Sequence, residues 1–299
     1  MAERLRVGVV GIGRRWPAHY RPALLALRDR FAVRGVTDPC PRRAARAARD
    51  LGCPAVPGVL ALLDADLDAV LLLGRPWYRL WPLEQACRLG RPAYLGTSLA
   101  ADDARADAVV QQARVANLPV MAELLPRLAP ATDHVRGLLP KLGPVRSVVC
   151  TAERSGRAGN PRSGSAAAGL VLLDWCARFF DRPPAAIRGL GESETGHAGW
   201  LLDFGGPAAQ VATWPGTGRG TAVRLRVVGE RGWAEAVLPR RVRWQVGRVR
   251  HAAALPSGPP PVRLALERFH AALTGGRPPD PGLDDAYQAL AWLRAARGG

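Results

Sequence analysis

Lysine is almost absent from this chain of 299 residues: Lys141 stands alone, so 41 of the 42 basic side chains are arginine. Isoleucine is nearly missing too, at Ile12 and Ile187 only, while alanine, arginine, glycine and proline abound, a pattern of GC-rich codon usage. The net charge of +17 would ordinarily point to nucleic acid or an anionic membrane. No run of five arginines occurs, however, so a solvated basic surface without a nucleic-acid partner is expected. No apolar run approaches the ~18 residues of a membrane span. Met1 to Arg6 lead into Val7 without the apolar core of a signal peptide, so a cytoplasmic protein with no membrane contact is expected. Cys40, Cys53, Cys87, Cys150 and Cys176 are odd in number and form no C-x-x-C pair, which argues against a disulfide framework and a zinc module. His19, His134, His197, His251 and His270 show no ligand spacing, so no metal is expected. A Gly-x-Ser-x-Gly elbow, a Walker loop and internal repeats are missing as well. What remains is a globular composition, 48% hydrophobic and 22% charged. At ~150 residues per domain, that length suggests two domains.

The pattern along the chain supplies the fold class. Apolar runs at 5–11, 31–37, 69–73, 93–95 and 119–121 read as buried strands. Helical patterns lie between them at 17–29, 42–51, 59–63, 80–89 and 102–116. Strands alternating with helices predict an α/β domain with a doubly wound parallel sheet. Beyond residue 122 the period changes. Helices are expected at 130–139, 170–180, 262–274 and 284–296, and a mobile loop at 154–168. Strands are expected at 145–151 and as a hairpin turning on Gly205-Gly206. Alternation of Val223, Leu225 and Val227 with Arg224 and Arg226, and of Val242, Trp244 and Val246 with Arg243 and Gln245, predicts an open, mainly antiparallel sheet with one wet face. The expected division is 1–122, a Rossmann-like dinucleotide-binding domain, and 123–299, an α+β domain for substrate and oligomerisation.

Gly11-Ile12-Gly13 sits between the first strand and the first helix, and Asp38 closes the second strand 27 residues after Gly11. That context suits a dinucleotide: Gly11 for the tight turn, Gly13 for close approach of backbone to a pyrophosphate, and the helix N-terminus for the anion. Arg14 and Arg15 follow in the turn, and Gly74 follows the third strand. Asp38 would accept from ribose hydroxyls and repel a 2′-phosphate, favouring NAD over NADP, while Arg42 and Arg43 nearby pull the other way. The third fingerprint position is Trp16. An indole there must wedge the helix off the strand or turn outward over the phosphate site, and either choice weakens binding. A Rossmann-like domain that keeps the shape without the nucleotide is the other reading. Trp16, Trp77, Trp81 and Trp175 are expected around the cofactor mouth, and His19 in helix packing.

The run from Val7 to Gly13 with His19, Val36-Thr-Asp-Pro39, Ala69–Leu73 and Gly90–Leu95 resembles the glucose–fructose oxidoreductase/inositol dehydrogenase (Gfo/Idh/MocA) family. Gly169–Asp174, Leu225–Gly232 and Phe269–Pro278 continue the resemblance over almost the whole chain. It implies an oxidoreductase moving a hydride between NAD(P) and a hydroxyl of a sugar, polyol or related compound. It also implies a homodimer through the C-terminal sheet. Here Arg224, Arg226, Arg241 and Arg243 on the wet face would need acidic partners; otherwise a monomer is expected. The family's Glu-Lys-Pro after the fourth strand is replaced by Gly96, Thr97 and Ser98, and its catalytic His, four residues after Asp174, by Arg178. Neither Thr97 nor Arg178 can act as a base near neutral pH. Arg178 can hold an anionic group in a bidentate contact, or pair with Asp174 one helical turn away. The resemblance therefore leaves two functions open: an oxidoreductase working with rearranged residues, and an inactive member that binds a ligand or serves in assembly.

Overall fold

The apolar run Leu5–Val10 is strand β1, flanked by β2 (Phe31–Thr37) and β3 (Ala69–Leu72). With β4 (Ala93–Leu95) and β5 (Val120–Ala122) it forms a parallel sheet in the order β2-β1-β3-β4-β5. This is a computed structural model describing residues 4–73, 78–155, 161–193, 195–216 and 222–298. Val7, Val9, Val10, Val70 and Leu71 are fully buried, because such a sheet is covered on both faces. Around it run α1 (Arg21–Ala26), α2 (Pro41–Leu51), α3 (Val59–Leu63), α4 (Trp81–Arg88) and α5 (Asp103–Val115). Helix α2 buries Ala44, Ala47 and Ala48 and turns Arg42, Arg43, Arg46 and Arg49 to solvent, before Gly52 ends it in the left-handed region at φ +68°. The order reverses between β1 and β3, so a ligand crevice is expected at the carboxyl ends of these strands.

By contact the chain divides into two units: 1–123 with 259–287, and 124–258 with 288–299. In the first, α8 (Pro261–Thr274) packs Phe269 edge-on against Tyr94 and His270 against Phe31. The division falls inside α9 (Leu283–Gly298), after Tyr287.

The second unit carries β6 (Val145–Ser155), β7 (Ala186–Glu192), β8 (Ala198–Asp203), β9 (Ala208–Gly216), β10 (Ala222–Gly229), β11 (Gly232–Val237), β12 (Arg241–Val246) and β13 (Val249–Ala254). Their order is β13-β12-β11-β10-β6-β9-β8-β7, antiparallel except for β6 with β9. Val148, Cys150, Val211, Leu225, Val227 and Ala236 lie on the buried face, with α6 (Pro130–Leu142) and α7 (Pro161–Ala177) in the same unit. The opposite face exposes Arg224, Arg226, Arg241 and Arg243, as the alternation predicts. Arg226 finds its acid within the chain, Glu235 at 2.9 Å on the neighbouring strand, and stacks 4.6 Å from the Trp233 ring centre.

Two expectations need correction. The helix at 17–29 is a single π-helical turn, Trp16–Tyr20, followed by the short α1. Pro17 and Pro22 each remove an N–H from the ladder, so regular α spacing is interrupted. The loop expected at 154–168 is helical from Pro161 onward, where a proline suits a first turn and Ala166–Ala168 favour a helix. Residues 156–160 lie outside the described ones.

Candidate functional site

At the carboxyl ends of β1 and β2 the chain ties its own turn. Gly11, at φ +85°, donates its N–H to the Thr37 carbonyl at 2.8 Å. Ile12 N–H donates to Asp38 Oδ2 at 2.7 Å, and Cys40 N–H to Asp38 Oδ1 at 2.8 Å. Each Asp38 oxygen thus accepts one protein N–H and retains a second acceptor position. Gly13 is half-buried and Arg14 exposed; Arg42 and Arg43 are exposed on the first turn of α2. Gly74 and Trp77 lie outside the described residues. Thr97 lines a narrow cleft with Val10, Leu72, Leu95, Tyr78 and Arg79.

Trp16 does not cover this turn. Trp16 is 5% exposed, in the core, and its backbone N–H donates to the Gly13 carbonyl at 3.1 Å. Trp175, 0% exposed, is likewise core, its indole N–H donating to Thr132 Oγ1 at 3.1 Å in the second unit. Trp81 is half-buried. The aromatic mouth expected from the sequence therefore loses Trp16 and Trp175 to packing. His19 is exposed rather than packed, and partial desolvation of its ring together with the Arg15 guanidinium holds its pKa below the ordinary value.

The sequence reading misses Glu123, which follows β5 and is the centre of a buried polar cluster. Its side chain is 5% exposed. Oε1 pairs with Arg15 Nη1, and Oε2 accepts from the Tyr20 and Tyr94 hydroxyls, each at 2.6 Å. The Arg15 guanidinium lies 5.1 Å from the Tyr20 ring centre. Burial opposes the charge on Arg15, but Glu123 more than offsets this and holds the guanidinium above its ordinary pKa. Burial, then the Glu123 charge, pushes both phenols well above theirs. Gly96 makes room for the cluster: a Cβ there would stand 2.8 Å from the Tyr20 hydroxyl and 3.2 Å from the Leu72 carbonyl oxygen. The signal available in the sequence was an acid immediately after an apolar strand, at the edge where such sheets bind ligands.

In the second unit Asp174 is 4% exposed and gripped by Arg127, through Nε at 2.6 Å and Nη2 on the other oxygen. Arg127 sits on the 3-10 turn Leu125–Leu128 and went unnoticed in the sequence. Arg178 stands one turn after Asp174 with Nε 4.0 Å from Oδ1, its side chain 41% exposed. Thr97 belongs to the first unit, and Asp174 and Arg178 to the second. Among the described residues no group of three or more histidines, cysteines or acids is gathered as for a metal, and no helix is long and apolar enough to cross a membrane.

No family model matches the sequence. Among solved structures, a UDP-N-acetylglucosamine 3-dehydrogenase from Acidithiobacillus ferrooxidans superposes with a TM-score of 0.84 at 22% identity, covering 99% of this chain and 97% of that one. A 3-ketoreductase from Actinomadura kijaniata, solved with NADP and TDP-benzene, gives 0.84 at 20% identity over 99% and 98%. A dehydrogenase from Clostridium difficile gives 0.85 at 12% identity over 99% of each chain. The fold is that of the Gfo/Idh/MocA dehydrogenases. In sequence, a dTDP-3,4-didehydro-2,6-dideoxy-α-D-glucose 3-reductase from Streptomyces antibioticus is 36% identical over 126 residues, which are 40% of this chain and 37% of that protein.

Proposed function

We propose that this chain is a divergent NAD(P)-dependent oxidoreductase of the Gfo/Idh/MocA type, acting on a sugar, a polyol or a related hydroxy compound. Residues 1–122 serve the dinucleotide, and 123–299 the substrate and assembly. The observation that carries the reading is the Gly11 turn tied to Asp38 at the carboxyl edge of the parallel sheet. Its positive φ and second acceptor positions fit a dinucleotide. Gly11, Ile12 and Gly13 offer close-approaching backbone, Arg14 and Arg15 positive charge, and Asp38 acceptors for ribose hydroxyls. Asp38 favours NAD; Arg42 and Arg43 act toward NADP, the cofactor in the 3-ketoreductase structure. The nicotinamide, when bound, supplies or takes the hydride.

On the substrate side, Arg127 holds Asp174 in place, and Arg178 beside it suits an anionic group. Two of the relatives are named for nucleotide-linked sugars, so a sugar carrying a diphosphate is the favoured substrate class. Thr97 can donate or accept a hydrogen bond at the cleft but cannot act as a base. The open sheet makes a homodimer whose arginine face meets acidic residues of a second copy.

A second reading, a ligand-binding or assembly protein without turnover, is favoured by the residues at 97 and 178 and by the capture of Asp174 by Arg127. Titration with NADH and NADPH, followed by quenching of tryptophan emission, combined with assays on UDP- and TDP-linked 3-keto sugars, separates the two. Binding with turnover supports the first, and binding without it the second. Binding of neither dinucleotide rules out the first and leaves the assembly reading.

A further inference from the structure

We propose that Arg15 selects the oxidation state of the nicotinamide: its guanidinium, pinned by the buried Glu123 beside the ends of β4 and β5, favours the neutral reduced ring over the positively charged oxidised one. The inference rests on the dinucleotide reading above.

The placement follows from strand order. A dinucleotide on this kind of sheet crosses the crevice at the switch point between β1 and β3, with one nucleoside half on either side. Asp38, closing β2, marks the adenosine half. The nicotinamide half then belongs over β3, β4 and β5. Arg15 leaves the turn after β1 and its guanidinium stacks near Tyr20 of the same turn, yet its ion-pair partner among the described residues lies on that second side. Its ion-pair partner, Glu123, donates its own N–H to the Leu95 carbonyl at 3.0 Å, at the end of β4. The Tyr20 hydroxyl, which shares that carboxylate, lies against Gly96. Within the pair the cation is the outer member, 40% exposed, and the anion the inner one, 5% exposed. Two phenol donors stabilise the carboxylate without neutralising it, so the orientation of the pair is held on both sides. His19 nearby has its pKa lowered by partial desolvation and by the Arg15 charge, which disfavours a second cation beside Arg15.

A pyridinium arriving next to an outward-facing guanidinium meets like charge, whereas a dihydropyridine does not. The site therefore loads the reduced cofactor and releases the oxidised one, which suits a ketone reductase. A bound reduced nicotinamide would supply the hydride for the carbonyl carbon, water would supply the proton for its oxygen, and Arg15 would disfavour retention of the resulting oxidised ring.

Titration calorimetry of the intact chain with NADH, NAD+ and ADP-ribose tests this, or with NADPH and NADP+ if that pair binds more tightly. The wild type is expected to bind the reduced form about tenfold more tightly than the oxidised form. Arg15→Gln leaves the buried anion and moves the ratio about tenfold toward the oxidised form. Glu123→Gln removes the anion and moves it the opposite way, and Arg15→Lys keeps the wild-type ratio. ADP-ribose, which has no nicotinamide, binds all four proteins alike. A ratio unmoved by Arg15→Gln and Glu123→Gln overturns the proposal, as does an equal loss of ADP-ribose and NADH affinity in Arg15→Gln, which would make Arg15 a phosphate ligand. Should Arg15→Gln not fold, Glu123→Gln decides by the direction of its shift. A wild type that binds neither dinucleotide but remains folded overturns the dinucleotide reading itself, and this proposal with it.

Discussion

Arg127 shows how much a single side chain decides here. Asp174 is conspicuous in the sequence, but the structure commits its carboxylate to Arg127 rather than leaving it to Arg178 alone. Removing one member of a buried ion pair leaves the other charge desolvated, at a cost of about 3–5 kcal/mol. Arg127→Ala should lower the unfolding free energy by that amount, read as a lower urea midpoint at unchanged slope. The joint change Arg127→Met with Asp174→Leu should cost less than Arg127→Ala, because no charge is left behind. A double variant as unstable as the single one would show that the two residues do not act as a unit.

At the scale of elements, the turn after β1 reverses an expectation. Read from the fingerprint, Trp16 obstructs the phosphate site, and Trp16→Gly should tighten dinucleotide binding. In the fold the indole is buried beneath a π-helical turn, and the site keeps Gly11 and Gly13. Trp16→Gly should instead lose about 3–5 kcal/mol of stability, the usual cost of deleting a buried tryptophan. NADH affinity should fall as the turn loosens. Denaturant unfolding and an NADH titration on the same preparation check both, and tighter binding in a fully stable variant would restore the obstructing role.

For the whole molecule, the pH response follows from the cluster around Glu123. Tyr20 and Tyr94 have pKa values raised in the folded state by burial and by the carboxylate. Their contribution is fully present below the ordinary phenol value of about 10 and is lost as pH rises beyond it toward the folded value. His19 and Asp68 act in the opposite sense, the first lowered by burial and Arg15, the second by its hydrogen bond from Arg6. Their contributions are present above the ordinary values of about 6.5 and 3.9 and are lost as pH falls through the folded ones. The melting temperature should therefore fall on both sides of neutrality. Tyr20→Phe with Tyr94→Phe should flatten the alkaline limb alone, and an unchanged alkaline limb would remove the cluster from the explanation.

The alternation of strands and helices, the Gly11-Ile12-Gly13 turn, the acid at Asp38 and the arginine face of the open sheet were all legible in the sequence. Each depends on local period, or on residue types a few positions apart. The residues that hold the sites were not legible, since their partners lie far away in the chain. Glu123 meets Arg15 across 108 residues and Arg127 meets Asp174 across 47. Contact also joins 259–287 to the first unit, where Ala122 N–H donates to the Pro281 carbonyl at 3.0 Å. Burial separates an indole or a carboxylate that serves the core from one that serves a ligand, and burial is decided only when distant segments pack.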